Sequence, residues 1–328
     1  MKIFPKLSIF LLVALPLQLN AAPQVVVSIT PIHSLVSMVL KGVGEPDLIL
    51  PGGQSPHTFS LTPSSARKVL DADLVVYVSD SYETGLRKML KNVSSENKIE
   101  LIAMPDQLTI LPQRKGGRWE SHEHEGHEHI DGNQSGHAPE DDVLKNNLED
   151  NPQSPDDRFL DPHVWLSPDN ATAIILLLRD RLSLIDPLNA QLYLTNANAA
   201  IEKISIHTET LRHKLQSSSH RPYLVFHDAF QYFESYFDLH ALGSVILGPE
   251  RKPGARRISE LRQLIKEEGV RCIFSEPQFE PRLVSNLTED LDIARGELDP
   301  LGAGLDQGVE LWFELTINLA KSLDSCLN

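Results

Sequence analysis

Between Trp119 and Asp157 the chain carries five histidines, His122, His124, His127, His129 and His137, and twelve Asp or Glu against one Lys and no Arg. Imidazole is the commonest protein ligand for borderline transition metals, and interleaved carboxylates add oxygen donors and a negative field that concentrates cations. This is a metal-collecting composition. The bland alternative is a solvated acidic linker with incidental histidines; the short-interval repeat SHEHEGHEH speaks against it. A segment so polar cannot bury a core, which predicts a loop without fixed structure over 115–157.

Three further histidines stand singly where ligands gather. His57 lies in ILPGGQSPHTFSLTPSSA, after a strand-like run and a Pro-Gly turn; His163 lies in DPHVWLSP, just past the acidic segment; His227 ends the strand-like run YLVFHD. Any one alone reads as a packed structural histidine, but three imidazoles from distant segments, each at a loop or strand end, can converge in one cleft. Three neutral nitrogens plus one oxygen suit a tetrahedral, borderline-soft cation such as zinc, whereas manganese and magnesium prefer oxygen-rich sites of higher coordination. Copper(II) also binds such nitrogens. Asp299, in GELDPLGAG, is a candidate fourth ligand, with an Asx turn or helix cap as the equal alternative. Asp161, Asp228 and Glu276 are the sequence neighbours able to fix an imidazole tautomer. His33, His207, His213, His220 and His240 share no such pattern and are expected to be ordinary surface or packing residues.

The elements that would carry these groups alternate between β-branched runs and helical patterns. VVVSI (25–29), DLIL (47–50), LVVYVS (74–79) and IELIA (99–103) read as buried strands, with helices over 32–41, 63–71 and 82–91. The rhythm resumes with strands over 223–228, 242–247, 271–276 and near Ile293, and helices over 255–268, 281–291 and 309–322. Between these halves lies a helical stretch broken only at Asp186 and Pro187. Its second part places Leu194, Ala197, Ile201, Ile204, Thr208, Leu211 and Leu215 on one stripe that docks against a lobe, and its first part, 170–185, is expected to be the strut joining the halves. The fold class is therefore α/β, with two lobes and a ligand cleft between them: an N-terminal lobe over 22–168, a helical linker over 169–218 and a C-terminal lobe over 219–328.

At the N-terminus, Lys2 and Lys6 precede an apolar stretch, 7–19, too short to span a bilayer and followed by Ala21 and Ala22. Residues 1–21 read as a cleavable secretory signal, with no nearby cysteine to take a lipid. The formal net charge is −15, and removal of the two leader lysines makes it −17. The insert, with one Lys against twelve acids, accounts for −11 of that. No basic face for nucleic acid is expected. Two cysteines in an exported chain point to a disulfide; one between Cys272, in VRCIFSE, and Cys326 would pin a terminal helix onto a strand.

The motifs PGGQSPHTFSLTPS, DPHVWLSP, VFHDAFQYFE, GPERKPGARRISEL, FSEPQFEP and LDPLG, in this order and with the His-rich insert, span the mature chain. In them the sequence resembles the periplasmic zinc-binding proteins of high-affinity zinc ABC importers, the ZnuA family within the metal-binding cluster of solute-binding proteins. The resemblance implies that His57, His163 and His227 hold one zinc between two lobes joined by a long helix, with a water or a carboxylate as fourth ligand. Some relatives have Glu just before the first ligand; this chain has Pro56. Asp299 matches a position where manganese-binding relatives supply a carboxylate, and Cys272 and Cys326 stand at the places of the disulfide of the zinc-binding group. The implied protein is a periplasmic monomer that delivers zinc to a membrane permease and catalyses nothing. Two other classes stay open on the residues alone: a metal-binding adhesin or zinc buffer without a transporter, and a zinc hydrolase, although neither HExxH nor a nucleophile elbow is present.

Overall fold

The computed structural model describes residues 21–114, 117–119, 159–246, 253–280 and 282–328. The expected leader, apart from Ala21, and the five histidines of the insert lie outside them.

The first half contains β1 (Val25–Ile29), α1 (Thr30–Leu40), β2 (Asp47–Leu50), α2 (Pro63–Asp71), β3 (Leu74–Tyr77), α3 (Arg87–Leu90) and β4 (Lys98–Glu100). Its four strands form a parallel sheet in the order β2-β1-β3-β4. β1 is buried throughout, as expected of a central parallel strand covered on both faces. Two helices follow, α4 (Pro168–Ile185) and α5 (Ala190–Leu215). The second half contains β5 (Tyr223–Val225), α6 (Gln231–Phe237), β6 (Ala241–Ser244), α7 (Ala255–Glu267), β7 (Cys272–Ser275), α8 (Arg282–Leu287), β8 (Ala294–Glu297) and α9 (Leu311–Leu327). Its sheet, order β6-β5-β7-β8, repeats the topology of the first. Parallel strands put their carboxyl ends on one edge, so the loops after β2, β3, β5, β7 and β8 deliver side chains to the same region.

The expected strut is corrected. Although α4 starts at a proper cap, with Ser167 Oγ accepting from Asn170 N, it packs on α1 and α5. It is α5, about 39 Å long at 1.5 Å per residue, that touches α1 of the first half and α9 of the second. The break between the helices is held by Asp186, which accepts from Asn189 Nδ2 and Tyr193 Oη. Sequence periodicity located most of the apolar stripe, although Leu194 is exposed and Tyr193 is buried in its stead, but not the number of surfaces it meets. No helix among the described residues is long and apolar enough to cross a membrane.

Cys272 on β7 and Cys326 on α9 form a disulfide with Cα atoms 5.9 Å apart. It closes a segment of 54 residues, so the double Cys→Ser variant is expected to lose about 4 kcal/mol of stability by the loop-entropy relation. Urea unfolding under oxidising conditions measures this; equal midpoints would assign the bridge no stabilising role.

Candidate metal centre

His57 follows β2, His227 follows β5, and His163 leads into α4. The three converge: their donor nitrogens all lie within 4.8 Å of one another, the one such group of His, Cys, Asp or Glu among the described residues. His163 Nδ1 is 2.8 Å from Asp161 Oδ1, and His227 Nδ1 is 2.6 Å from Glu276 Oε1. Each carboxylate also accepts from the backbone N–H of the histidine it serves, at 3.0 and 3.1 Å. With Nδ1 donating to a carboxylate, Nε2 carries the lone pair, and the two Nε2 atoms face each other 3.4 Å apart. Two lone pairs at that distance repel unless a cation or a proton lies between them. Tetrahedral zinc with Zn–N bonds of 2.0–2.1 Å holds its nitrogens about 3.3 Å apart, close to the spacing already present. His57 Nε2 is buried with no partner in the protein.

Aromatic rings and a tryptophan pair hold this arrangement. Tyr82, after β3, sets its ring edge-on to His57 at 4.7 Å and to His163 at 5.5 Å. Behind it, buried Glu83 accepts from Ser28 Oγ and from the backbone of Val78 and Ser79. Trp165, fully buried, packs on His163 and donates from Nε1 to Pro300 O at 2.8 Å, while Trp312 Nε1 donates to Trp165 O at 2.9 Å. These bonds tie the His163 segment to the loop after β8.

Electrostatics follow from burial. Desolvation, reinforced by the charges of His227 and His163, holds His57 well below the usual histidine value; His163 is lowered likewise by burial and by His227. Burial also lowers His227, but the charge and hydrogen bond of Glu276 outweigh it and the net direction is up. Burial raises Glu276 in turn, against the lowering effect of the His227 charge and hydrogen bond. Burial pushes Asp161 up to about 7.

Asp299 is not in the histidine group. Its Oδ1 accepts from Leu301 N, Gly302 N and Gln278 Nε2, and its Oδ2 from Ala303 N, which is the turn-forming arrangement rather than an open ligand. Asp228 faces away from His227's ring nitrogens to Arg114, whose Nε lies 3.0 Å from both its oxygens and whose Nη1 donates to Glu234 at 2.7 Å. Trp119 stacks on that guanidinium at 3.6 Å. Among the remaining histidines, His33 bonds Pro46 O and His207 bonds Thr316 Oγ1, while His220 and His240 are neighbours with ring centroids 5.6 Å apart. Arg114 and Gln278 were missed in the sequence. The hints present were a basic cluster, Arg114, Lys115 and Arg118, just before the acidic insert and a Gln two residues past Glu276.

The family described as Zinc-uptake complex component A periplasmic, ZnuA, matches residues 25–326. The high-affinity zinc uptake system protein ZnuA of Brucella suis biovar 1 (strain 1330) is 38% identical over 305 residues, covering 93% of this chain and 91% of that protein. Its counterpart of the same name in Yersinia pestis is 31% identical over 320 residues, covering 97% and 95%. Among solved structures, a crystal structure of ZnuA aligns with a TM-score of 0.70 at 19% identity, over 94% of this chain and 100% of that one. A mutant of the laminin-binding adhesin Lmb from Streptococcus agalactiae gives 0.70 at 22%, over 93% and 100%. At those identities the structures speak for the two-lobe fold alone. With a family match from β1 to the last turn of α9, and relatives above 30% identity along nearly their whole length, the chain belongs to the ZnuA family of periplasmic zinc-uptake components.

Proposed function

We propose that this protein is the periplasmic zinc-binding component of a zinc ABC importer: it captures one zinc ion between its lobes and hands it to the membrane permease. His57, His163 and His227 bind the ion through Nε2, with Asp161 and Glu276 fixing the tautomers of the latter two. The observation that carries this reading is the convergence of three Nε2 atoms, two of them oriented by buried carboxylates. The protein works as a monomer exported by its leader, and it is not an enzyme. The acidic insert gathers zinc weakly ahead of the cleft.

Deletion of residues 119–157 tests the division of labour. Titration against a competing chelator is expected to show fewer weakly held ions and one tight ion retained; loss of the tight ion would make an insert histidine a ligand.

A second test is pH. The His227–Glu276 pair and Asp161 have raised pKa values in the metal-free protein, so they hold protons that zinc must displace. Apparent affinity should therefore climb as pH rises through about 7, the value for Asp161, and level off above it. His57 and His163 are already neutral there. Calorimetry in buffers of different ionisation enthalpy is expected to find proton release on binding at mildly acidic pH, and a flat affinity between pH 5 and 7 would contradict displacement of protons from Asp161 and the His227–Glu276 pair.

A further inference from the structure

Four polar atoms on residues lining the cleft cavity are buried without a partner in the protein: Ser55 Oγ, His57 Nε2, Glu276 Oε2 and Gln278 Oε1. A metal ion satisfies the nitrogen and can attract the carboxylate oxygen, but it does nothing directly for the amide oxygen. The amide of Gln278 cannot turn to cure its own defect. Its Nε2 donates to Gly52 O at 3.0 Å, across the cleft in the first half, and to Asp299 Oδ1 at 2.8 Å in the second. Both partners only accept, so the amide nitrogen must face them and the oxygen must be the atom left over.

Neither partner is free to move away. Asp299 is tied to the backbone of residues 301–303, and Gly52 lies so close to that turn that a Cβ there would stand 3.1 Å from Gly302 and Ala303. Gln278 is therefore a latch between the halves on one side and an unmatched acceptor on the other. An amide oxygen is a poor direct ligand for zinc, which takes thiolate, imidazole and carboxylate. A metal-bound water is a strong donor because the ion acidifies it. Gln278 lines the same cavity as the three histidines, so that water would lie within the same enclosure.

We propose that the fourth ligand is a water that donates a hydrogen bond to Gln278 Oε1, so that the residue latching the two lobes also reads whether the ion is present. This rests on the reading of His57, His163 and His227 as ligands. When the ion and its water arrive, the acceptor on Gln278 is satisfied and the latch tightens; when they leave, the amide is again half-bonded at the seam between the halves.

The test uses the full-length protein with cobalt(II) in place of zinc, whose visible spectrum reports the ligand set, and a chelator chase of bound zinc. Gln278→Leu is expected to change the cobalt spectrum and to speed zinc release by about 10- to 100-fold, the range for groups behind a ligand. Gln278→Asn, one methylene shorter, carries the same expectation should leucine not be accommodated. A wild-type cobalt spectrum in both variants overturns the proposal, whatever the release rate. His57→Ala separates the two readings. If it too keeps the wild-type spectrum, the histidine assignment fails; if it alone loses the spectrum, the assignment stands and the water bound to Gln278 does not.

Discussion

His57→Ala, His163→Ala and His227→Ala are each expected to abolish tight zinc binding, with a loss larger than the about 10- to 100-fold typical of groups that merely support a ligand. His57→Ala is the cleanest of the three, because its ring is packed on Tyr82. His163→Ala and His227→Ala also strip Asp161 and Glu276 of a buried partner, so the metal-free proteins should melt earlier as well. His207→Ala provides the contrast: it loses a bond to Thr316 and contacts with Trp312 and Phe313, with no effect on affinity expected. Chelator competition checks all four. Any two of the three cleft variants binding as tightly as wild type would end the assignment.

Arg114→Leu is expected to be the most damaging single change to stability away from the core. It would leave Glu234, whose side chain is 4% exposed, and Asp228, at 24%, facing each other without their shared cation. Breaking a buried pair from one side typically costs about 3–5 kcal/mol, and partial exposure of Asp228 puts this toward the lower figure. Because Asp228 adjoins His227, zinc affinity should fall with stability. Urea unfolding of the metal-free protein, followed by zinc titration, measures both; an unchanged unfolding midpoint would mean that water replaces the guanidinium at no cost.

What the sequence made legible follows a physical division. His57, His163 and His227 could be picked out because each sits in a loop or at a strand end, contexts that can deliver a side chain to a shared cleft. β1 was likewise legible as a short run of buried, mostly β-branched residues, and β7 as a short apolar one, whereas β2, also expected to be a buried strand, is buried only at Leu50. Asp161 and Glu276 were named only for their nearness in sequence, and Asp228, equally near, turned to Arg114, 114 residues away. Gln278 reaches back 226 residues to Gly52, and Trp165 forward 135 to Pro300. Pairings of that span depend on how the halves close, which no local periodicity encodes. The same holds for α5, whose stripe revealed an apolar face but not that two halves share it.

The two carboxylates behind the histidines make the centre an ion exchanger. Metal-free, burial raises Asp161 to about 7 and raises Glu276, and Glu276 in turn raises His227, so the protonated forms of these groups are favoured. A divalent cation among neutral imidazoles displaces those protons, and the loaded centre then balances two positive charges against two carboxylates. The exchange is electroneutral, so burying the ion avoids most of the charging cost that a dication meets in a low-dielectric interior. A monovalent ion would leave a negative charge uncompensated and a trivalent one a positive charge. The pair of acids would thus favour a divalent cation, separately from the preference for nitrogen that the three rings express, and protons returning to the acids would work in the direction of release.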